Sequence, residues 1–232
     1  MATPITASAR RDYQAVHHGK TRTKARCQYI VTHGGQAPTA EGMARWFTDE
    51  RSGGSTQLCI DGAEKYRTLS DLVIPYGAPP LNETGLHAET ASFAWWKPAD
   101  WTARKRMIQR TAWAYAEWSI DYNIPVRWLK AKQLLALGKE PGPGRGGFTS
   151  HVEITKAWGQ SDHTDPGAGF ELPDANKRVP RIALMSWTRK YRKQMLAPPK
   201  PKKKAKPKSK RAYADQLDAQ SATIPANQER RR

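Results

Sequence analysis

The stretch SDHTDPGAGF, residues 161–170, sets Asp162, His163 and Asp165 within four positions and then turns at Pro166-Gly167. Two further histidines stand at comparable places. His33 closes the apolar run CQYIVTHGG directly before Gly34-Gly35, and His151 follows Ser150 in GFTSHVEITKAWG. Two imidazoles and one carboxylate, each at the end of a regular element, are the donor set of a zinc ion that keeps its fourth position for water. Zinc of that kind polarises a carbonyl and lowers the pKa of water. Such chemistry also needs a proton carrier, and Glu89 stands inside the strand-like segment GLHAETASF, a place for a carboxylate that faces a site. Spacing alone leaves rivals open. His87 lies two residues before Glu89, on the same strand face, and is either a competing ligand or a hydrogen-bonded core residue. HTDPG taken by itself is also good turn chemistry.

These residues need elements to carry them. Tyr29, Ile30 and Val31 read as a strand ended by Gly34-Gly35. Ala40, Met43, Ala44 and Phe47 fall at helical spacing behind Thr39, a plausible N-cap. STQLCIDGAEKYRTL reads as strand, Asp61-Gly62 turn, strand. A long helix is expected over 98–122, with Trp101, Ile108, Ala112, Tyr115 and Trp118 on one face. KAKQLLALG gives a short helix closed by Gly138, and a last amphipathic helix covers about 182–195. Strands alternating with helices predict an α/β fold around a mixed central sheet flanked by helices.

The chain has 232 residues and a net charge of +18, so its partner is polyanionic or lies on an anionic surface. Much of the charge sits at the two ends. Residues 1–26 read as a basic N-terminal arm, mobile or laid over the domain, with regular structure starting at Cys27. Residues 27–196 read as the folded domain. Residues 197–232 read as a disordered Lys-rich tail, because APPKPKKKAKPKSKR holds eight basic residues and no acidic one. His17 and His18 belong to the arm and are expected in solvent. Cys27 and Cys59 are too few for a disulfide framework. No secretory h-region and no membrane-spanning stretch is visible.

The order YIVTHGG, GLHAETASF, GFTSHVEITKAWGQSDHTDPGAGF resembles the zinc-dependent type 2 N-acetylmuramoyl-L-alanine amidases and the related peptidoglycan recognition proteins. It looks most like endolysins of bacteriophages infecting actinobacteria. The resemblance covers about residues 27–170. It implies the zinc amidase fold, with His33, His151 and Asp165 as zinc ligands, Glu89 as catalytic acid/base and His163 as the oxyanion stabiliser where many members carry lysine. Asn82 matches an asparagine implied in substrate binding. This chain has Ser150 where glycine is common and Gln57 where histidine is common, and the spacing from His151 to Asp165 is longer than in many members.

The implied activity is hydrolysis of the amide between N-acetylmuramic acid and L-alanine in bacterial peptidoglycan, and so lysis of the cell wall. The enzyme would be a monomer made in the host bacterial cytoplasm that reaches the wall through a pore formed by a partner. The basic tail would hold anionic wall polymers. Two other classes fit parts of the sequence: a non-catalytic peptidoglycan-binding protein, and a general basic nucleic-acid-binding protein. Against the latter, the core has no recognition-helix, zinc-finger or RNA-binding signature, so no specific nucleic acid is expected.

Overall fold

In the computed structural model, which describes residues 3–198, the strand runs and helix periodicities of the sequence assemble into a layered α/β unit. The chain order is β1 (His18–Thr21), β2 (Tyr29–Gly34), α1 (Ala40–Trp46), β3 (Leu58–Ile60), β4 (Lys65–Arg67), β5 (Val73–Pro75), β6 (Gly85–Thr90), α2 (Pro98–Ala103), α3 (Lys105–Asp121), α4 (Ala131–Leu137), β7 (Gly147–Ser150), α5 (His151–Trp158), α6 (Ala168–Glu171) and α7 (Pro180–Leu196). The main sheet has the strand order β4-β3-β6-β2-β7. Only β3 and β4 pair antiparallel; β3–β6, β6–β2 and β2–β7 are parallel, so the sheet is mixed as expected. β1 and β5 form a separate two-stranded antiparallel ribbon.

The two faces of the sheet do different work. Ile30, Leu86, Ala88 and Phe148 belong to the larger core, with Met107, Ala112, Tyr115 and Trp118 from α3 and Leu184, Met185 and Tyr191 from α7. Buried aromatic and aliphatic surface of this kind is the main stabilising term of the unit. The Tyr115 hydroxyl and the Thr32 hydroxyl, 2.9 Å apart, satisfy each other inside it. On the other face, Tyr29 and Val31 pack with Ala78, Leu81, Leu129, Leu134 and Ile154 in a smaller cluster. Side chains alternate across a strand, so this is also the face of His33.

Local signals hold where they have a backbone partner. The Thr39 hydroxyl accepts the Gly42 N–H at 3.1 Å and caps α1. Asp61 Oδ1 accepts the Ala63 and Glu64 N–H groups, both at 2.7 Å, and closes the β3–β4 turn. Gly138, at φ 77°, ends α4. The expected 98–122 helix is in fact two. At Arg104 (φ −96°, ψ 42°) the chain leaves the helical path, donates its N–H to the Trp101 carbonyl and restarts as α3. The break buries Trp101 beside Trp96 and Phe170 while α3 keeps its own apolar face on the sheet. Cys27 and Cys59 are both buried and unbridged.

The described part of the N-terminal arm is laid over the domain, and regular structure begins at His18 rather than Cys27. Buried Arg110 donates to the carbonyls of Thr3 at 2.7 Å, Pro4 at 2.9 Å and Ala63 at 2.7 Å. The Ala15 N–H bonds Thr68 O and the Val16 N–H bonds Phe47 O, each at 3.0 Å. The Lys-rich tail, from residue 199 on, lies outside the described residues. Among those residues, no helix is long and apolar enough to cross a membrane.

Arg110 therefore ties the start of the chain to α3 through charge-assisted bonds, with Arg106 of the same helix also donating to the Thr3 carbonyl. Arg110→Met keeps the apolar stem and removes the donors. The variant should lose about 2–4 kcal/mol of stability, read as a lower urea midpoint, with the arm cut first in limited proteolysis. An unchanged midpoint would show that the Arg110 bonds to the arm contribute nothing to the fold.

Candidate active site

The parallel register brings the site together. His33 on β2 pairs with Glu89 on β6, and Thr32 pairs with Ser150 on β7, so His151 follows one residue past the end of β7. The carboxyl ends of parallel strands are where α/β sheets bind ligands. The third contributor is the loop after α5. Its Asp165 carbonyl accepts the Val152 N–H at 2.9 Å, and its carboxylate accepts the Gly34 N–H at 3.2 Å. Gly167 lets the loop dock: it sits at φ 89°, and a Cβ there would come within 2.0 Å of the Ala94 carbonyl oxygen.

His33 Nδ1 lies 3.3 Å from Asp165 Oδ2, and His151 Nδ1 lies 3.2 Å from Asp165 Oδ1. One ligand atom from each of these three buried residues lies within 4.8 Å of the others. Ligand atoms about 2.0–2.2 Å from a tetrahedral zinc stand roughly 3.3–3.5 Å apart, so the set is compatible with zinc. The remote nitrogens of both rings are occupied, His33 Nε2 by His87 Nδ1 at 3.0 Å and His151 Nε2 by Ser161 Oγ at 3.3 Å. Ser161 is in turn 2.7 Å from Thr155 Oγ1. Occupied remote nitrogens hold the rings with both Nδ1 atoms toward the carboxylate, as metal-ligating histidines require. The residues present therefore fit zinc.

Glu89 is the neighbouring carboxylate, its Oε1 3.9 Å from His33 Nδ1. Its Oε2 is buried and has no hydrogen-bond partner among the described residues. Burial pushes the Glu89 pKa up to about 7; the nearby His33 works against this and the Asp165 charge adds to it. Asp165 goes the other way. Burial opposes ionisation, but hydrogen bonds from His151, His163 and His33 outweigh it and hold the carboxyl well below the ordinary range. Burial also disfavours the His33 cation, yet the Glu89 and Asp165 carboxylates push its pKa up. His151 and His87 are lowered, chiefly by burial, and His87 strongly so. His163 is the exposed member, with 59% of its side-chain surface open. Its Nδ1 lies 3.3 Å from Asp165 Oδ1, a bond that raises its pKa, and its ring stacks on His151 with centroids 4.3 Å apart.

These groups line one end of a cleft of about 690 Å³ that continues past Gly35, Met43 and Ser55 to Trp46 and Tyr76. Trp46 and Tyr76 are 47% and 46% exposed, apolar rings held at the mouth of a site. A second cavity of about 650 Å³ lies elsewhere, around Lys65, Glu117, Asp71 and Trp118. Two of its charge pairs are internal, Lys65 with Glu117 at 3.3 Å and Arg67 with Asp71, and among the described residues it holds no metal-ligand cluster.

Five of the six site residues read from the sequence thus meet: His33, His151, Asp165, Glu89 and His163. Asn82 does not join them. Its Oδ1 accepts the Gly77 and Ala78 N–H groups at 3.0 and 2.7 Å and closes the loop before β6, so it is a structural turn residue rather than part of the cleft wall. His87 is not a ligand, because both its nitrogens face other partners: Nδ1 faces His33, and Nε2 lies 3.4 Å from Leu81 O. Gln57 likewise supports the strand, with its Oε1 accepting the His87 N–H at 2.7 Å. Ser161 was missed, since a serine after Gly-Gln carries no sequence signal for a bond to a histidine ten residues earlier.

Comparison with protein-family models and with curated proteins finds no match for this sequence. Among solved structures, the hydrolase AmiA of Staphylococcus aureus, determined with its ligand, is similar at a TM-score of 0.57 and 14% identity, over 82% of this chain and 85% of that one. A mutant of PlyL is similar at 0.48 and 10% identity, over 79% of this chain and 99% of that one. The endolysin N-acetylmuramoyl-L-alanine amidase LysCS of Clostridium intestinale is similar at 0.33 and 15% identity, over 70% and 91% of the two chains. The two lower scores carry no weight here. The likeness to AmiA shows a shared α/β fold, in agreement with the amidase fold expected from the sequence.

A buried carboxyl with a raised pKa stabilises the folded chain below its unfolded pKa, and that contribution is lost as pH rises through the folded one. For Glu89 the window runs from 4.5 to about 7. In the metal-free protein, Glu89→Gln removes the dependence. Thermal melts should match the parent near pH 4.5 and exceed it at pH 8 by about 3 kcal/mol. A constant difference across that range would mean that Glu89 is not desolvated in the folded chain.

Proposed function

We propose that this chain is a zinc-dependent peptidoglycan hydrolase of the N-acetylmuramoyl-L-alanine amidase family, cleaving the amide between N-acetylmuramic acid and the L-alanine of the stem peptide. The observation that carries this reading is the convergence of His33 Nδ1, His151 Nδ1 and the Asp165 carboxylate beside a partly buried carboxylate, Glu89, at the end of an open cleft. The fold shared with the AmiA hydrolase supports it.

His33, His151 and Asp165 would hold the metal. Zinc bound there supplies Lewis acidity toward an amide carbonyl and toward water. Glu89 does the proton work. With Oε2 free of protein partners and a pKa raised toward neutrality by burial, it can take a proton from water and return it to the leaving amine. His163, open to the cleft and made more basic by Asp165, donates a hydrogen bond to the oxygen that gains charge. Trp46 and Tyr76 offer ring faces to the apolar faces of a sugar or a stem peptide.

The protein would be a bacteriophage endolysin, made in the host cytoplasm and released to the wall through a partner's pore. Its tail would concentrate it on anionic wall polymers in a salt-dependent way.

The test is incubation of the purified protein with peptidoglycan, with and without chelator, reading new alanine amino termini and new reducing sugars separately. Chelator-sensitive alanine amines without sugar ends are expected. Release of neither, by a zinc-loaded protein, would make it a receptor or a basic binding protein. Glu89→Gln should keep zinc and lose about 10²–10⁴-fold in rate; a variant as fast as the parent would remove Glu89 from its role. Deleting residues 198–232 should leave zinc content unchanged and weaken wall binding at low salt, and equal binding by the shortened chain would exclude the tail as the anchor.

A further inference from the structure

Behind the ligand cluster lies a buried polar chain that the reaction itself does not use. His87, with no exposed surface, reaches His33 Nε2 through Nδ1 at 3.0 Å and approaches the Leu81 carbonyl oxygen through Nε2 at 3.4 Å. The proton positions follow from what each group can do. A carbonyl only accepts, so the proton of His87 sits on Nε2. A neutral imidazole carries one N–H, so His87 Nδ1 is bare and accepts. The N–H facing it must then be on His33 Nε2, so once His33 gives up the proton that its Nδ1 shares with the Asp165 carboxylate, its lone pair lies on Nδ1.

We infer that His87 is a positioning residue for the metal centre: its Nδ1 holds His33 in the one tautomer and ring orientation that present Nδ1 to a metal. The inference rests on the zinc-centre reading above and goes beyond it by assigning the group behind the first ligand.

The surroundings are built for that one orientation. A Cβ on Gly77 would come within 2.5 Å of His87 Nδ1, and one on Gly85 within 2.4 Å of Nε2, so two glycines form the slot in which the ring lies. Asn82 fixes one side of the slot by accepting from the backbone of Gly77 and Ala78. Gln57 fixes the strand by accepting the His87 N–H at 2.7 Å and donating to Val73 O at 2.9 Å. The asparagine and glutamine that the sequence sets near the site thus act one layer further out. Outer partners of metal ligands commonly control affinity by about 10–100-fold.

The experiment is zinc affinity of the full-length chain, measured by competition with a chromophoric chelator, for the parent, His87→Asn and His87→Leu, alongside melts of each metal-free protein. Asn places an acceptor oxygen near the position of Nδ1, whereas Leu fills the slot without one. Both should lower the metal-free melting temperature. Only Leu should weaken zinc, by about 10–100-fold, with Asn staying within about threefold of the parent. Leu with parental affinity, or Asn weakened as much as Leu, would overturn the inference, because a purely structural role would not separate the two. If the Leu variant fails to fold, His87→Gln replaces it: its amide reaches toward the Nε2 position and leaves a methylene near Nδ1, so it should weaken zinc as Leu does. A parent chain that takes up no zinc would overturn the metal centre and this inference together, whereas a zinc-binding parent with an unaffected Leu variant would overturn this inference alone.

Discussion

The carboxylate of Asp165 is the contact on which the rest of the site depends. It meets three imidazoles, His33 at 3.3 Å, His151 at 3.2 Å and His163 at 3.3 Å, together with the Gly34 N–H at 3.2 Å. Those partners come from β2, the start of α5 and the Asp165 loop itself. A buried carboxylate is tolerable only when it is paired and hydrogen-bonded, and here the pairing draws three segments to one point. The same groups that satisfy Asp165 are those that can share a cation with it. Folding and metal binding therefore call on one set of contacts, and a bound metal would replace hydrogen bonds that already hold the residues in place.

Glu89 is left out of that pairing. It lies beside the cluster, and one of its oxygens is buried without a protein partner. A structural carboxylate would be satisfied, as Asp71 is by the indole N–H of Trp118 at 3.0 Å and the Tyr122 hydroxyl at 3.1 Å. The fold thus carries two kinds of buried acid: one tied down from several directions, and one kept free at the end of a cleft. Opposite shifts in pKa follow from that difference in environment, and groups pushed apart in this way are the usual material of acid–base chemistry.

The two faces of the sheet divide the labour. α3 and α7 supply the large aromatic core on one face, so the other can hold four buried or partly buried ionisable groups, His33, His87, Glu89 and His151, with only a small apolar cluster behind them. Each of those groups costs desolvation. β2, between two parallel neighbours, is held on both edges. The arm from residue 3 onward adds to the core side through Arg110 and leaves the cleft mouth open.

Read alone, the sequence determines the composition of the site and the identity of most elements. The strand ending at His33, the Thr39 cap, the Asp61-Gly62 turn and the Gly138 stop depend on local backbone chemistry, and local chemistry is written in neighbouring residues. The amidase resemblance names five residues that do meet in space. Tertiary structure alone decides the rest. The break at Arg104 arises because Trp101 and α3 must bury different surfaces, which no single helical period describes. Asn82, given a substrate role only by the amidase resemblance, instead accepts from two backbone N–H groups of its own loop. His87, two residues from Glu89 and chemically able to be a ligand, is withdrawn from that role because parallel register sets it diagonally behind His33, where Leu81 and two glycines fix its ring. Which nitrogen of a histidine faces a metal depends on what its other nitrogen touches, and that partner comes from a strand more than fifty residues away.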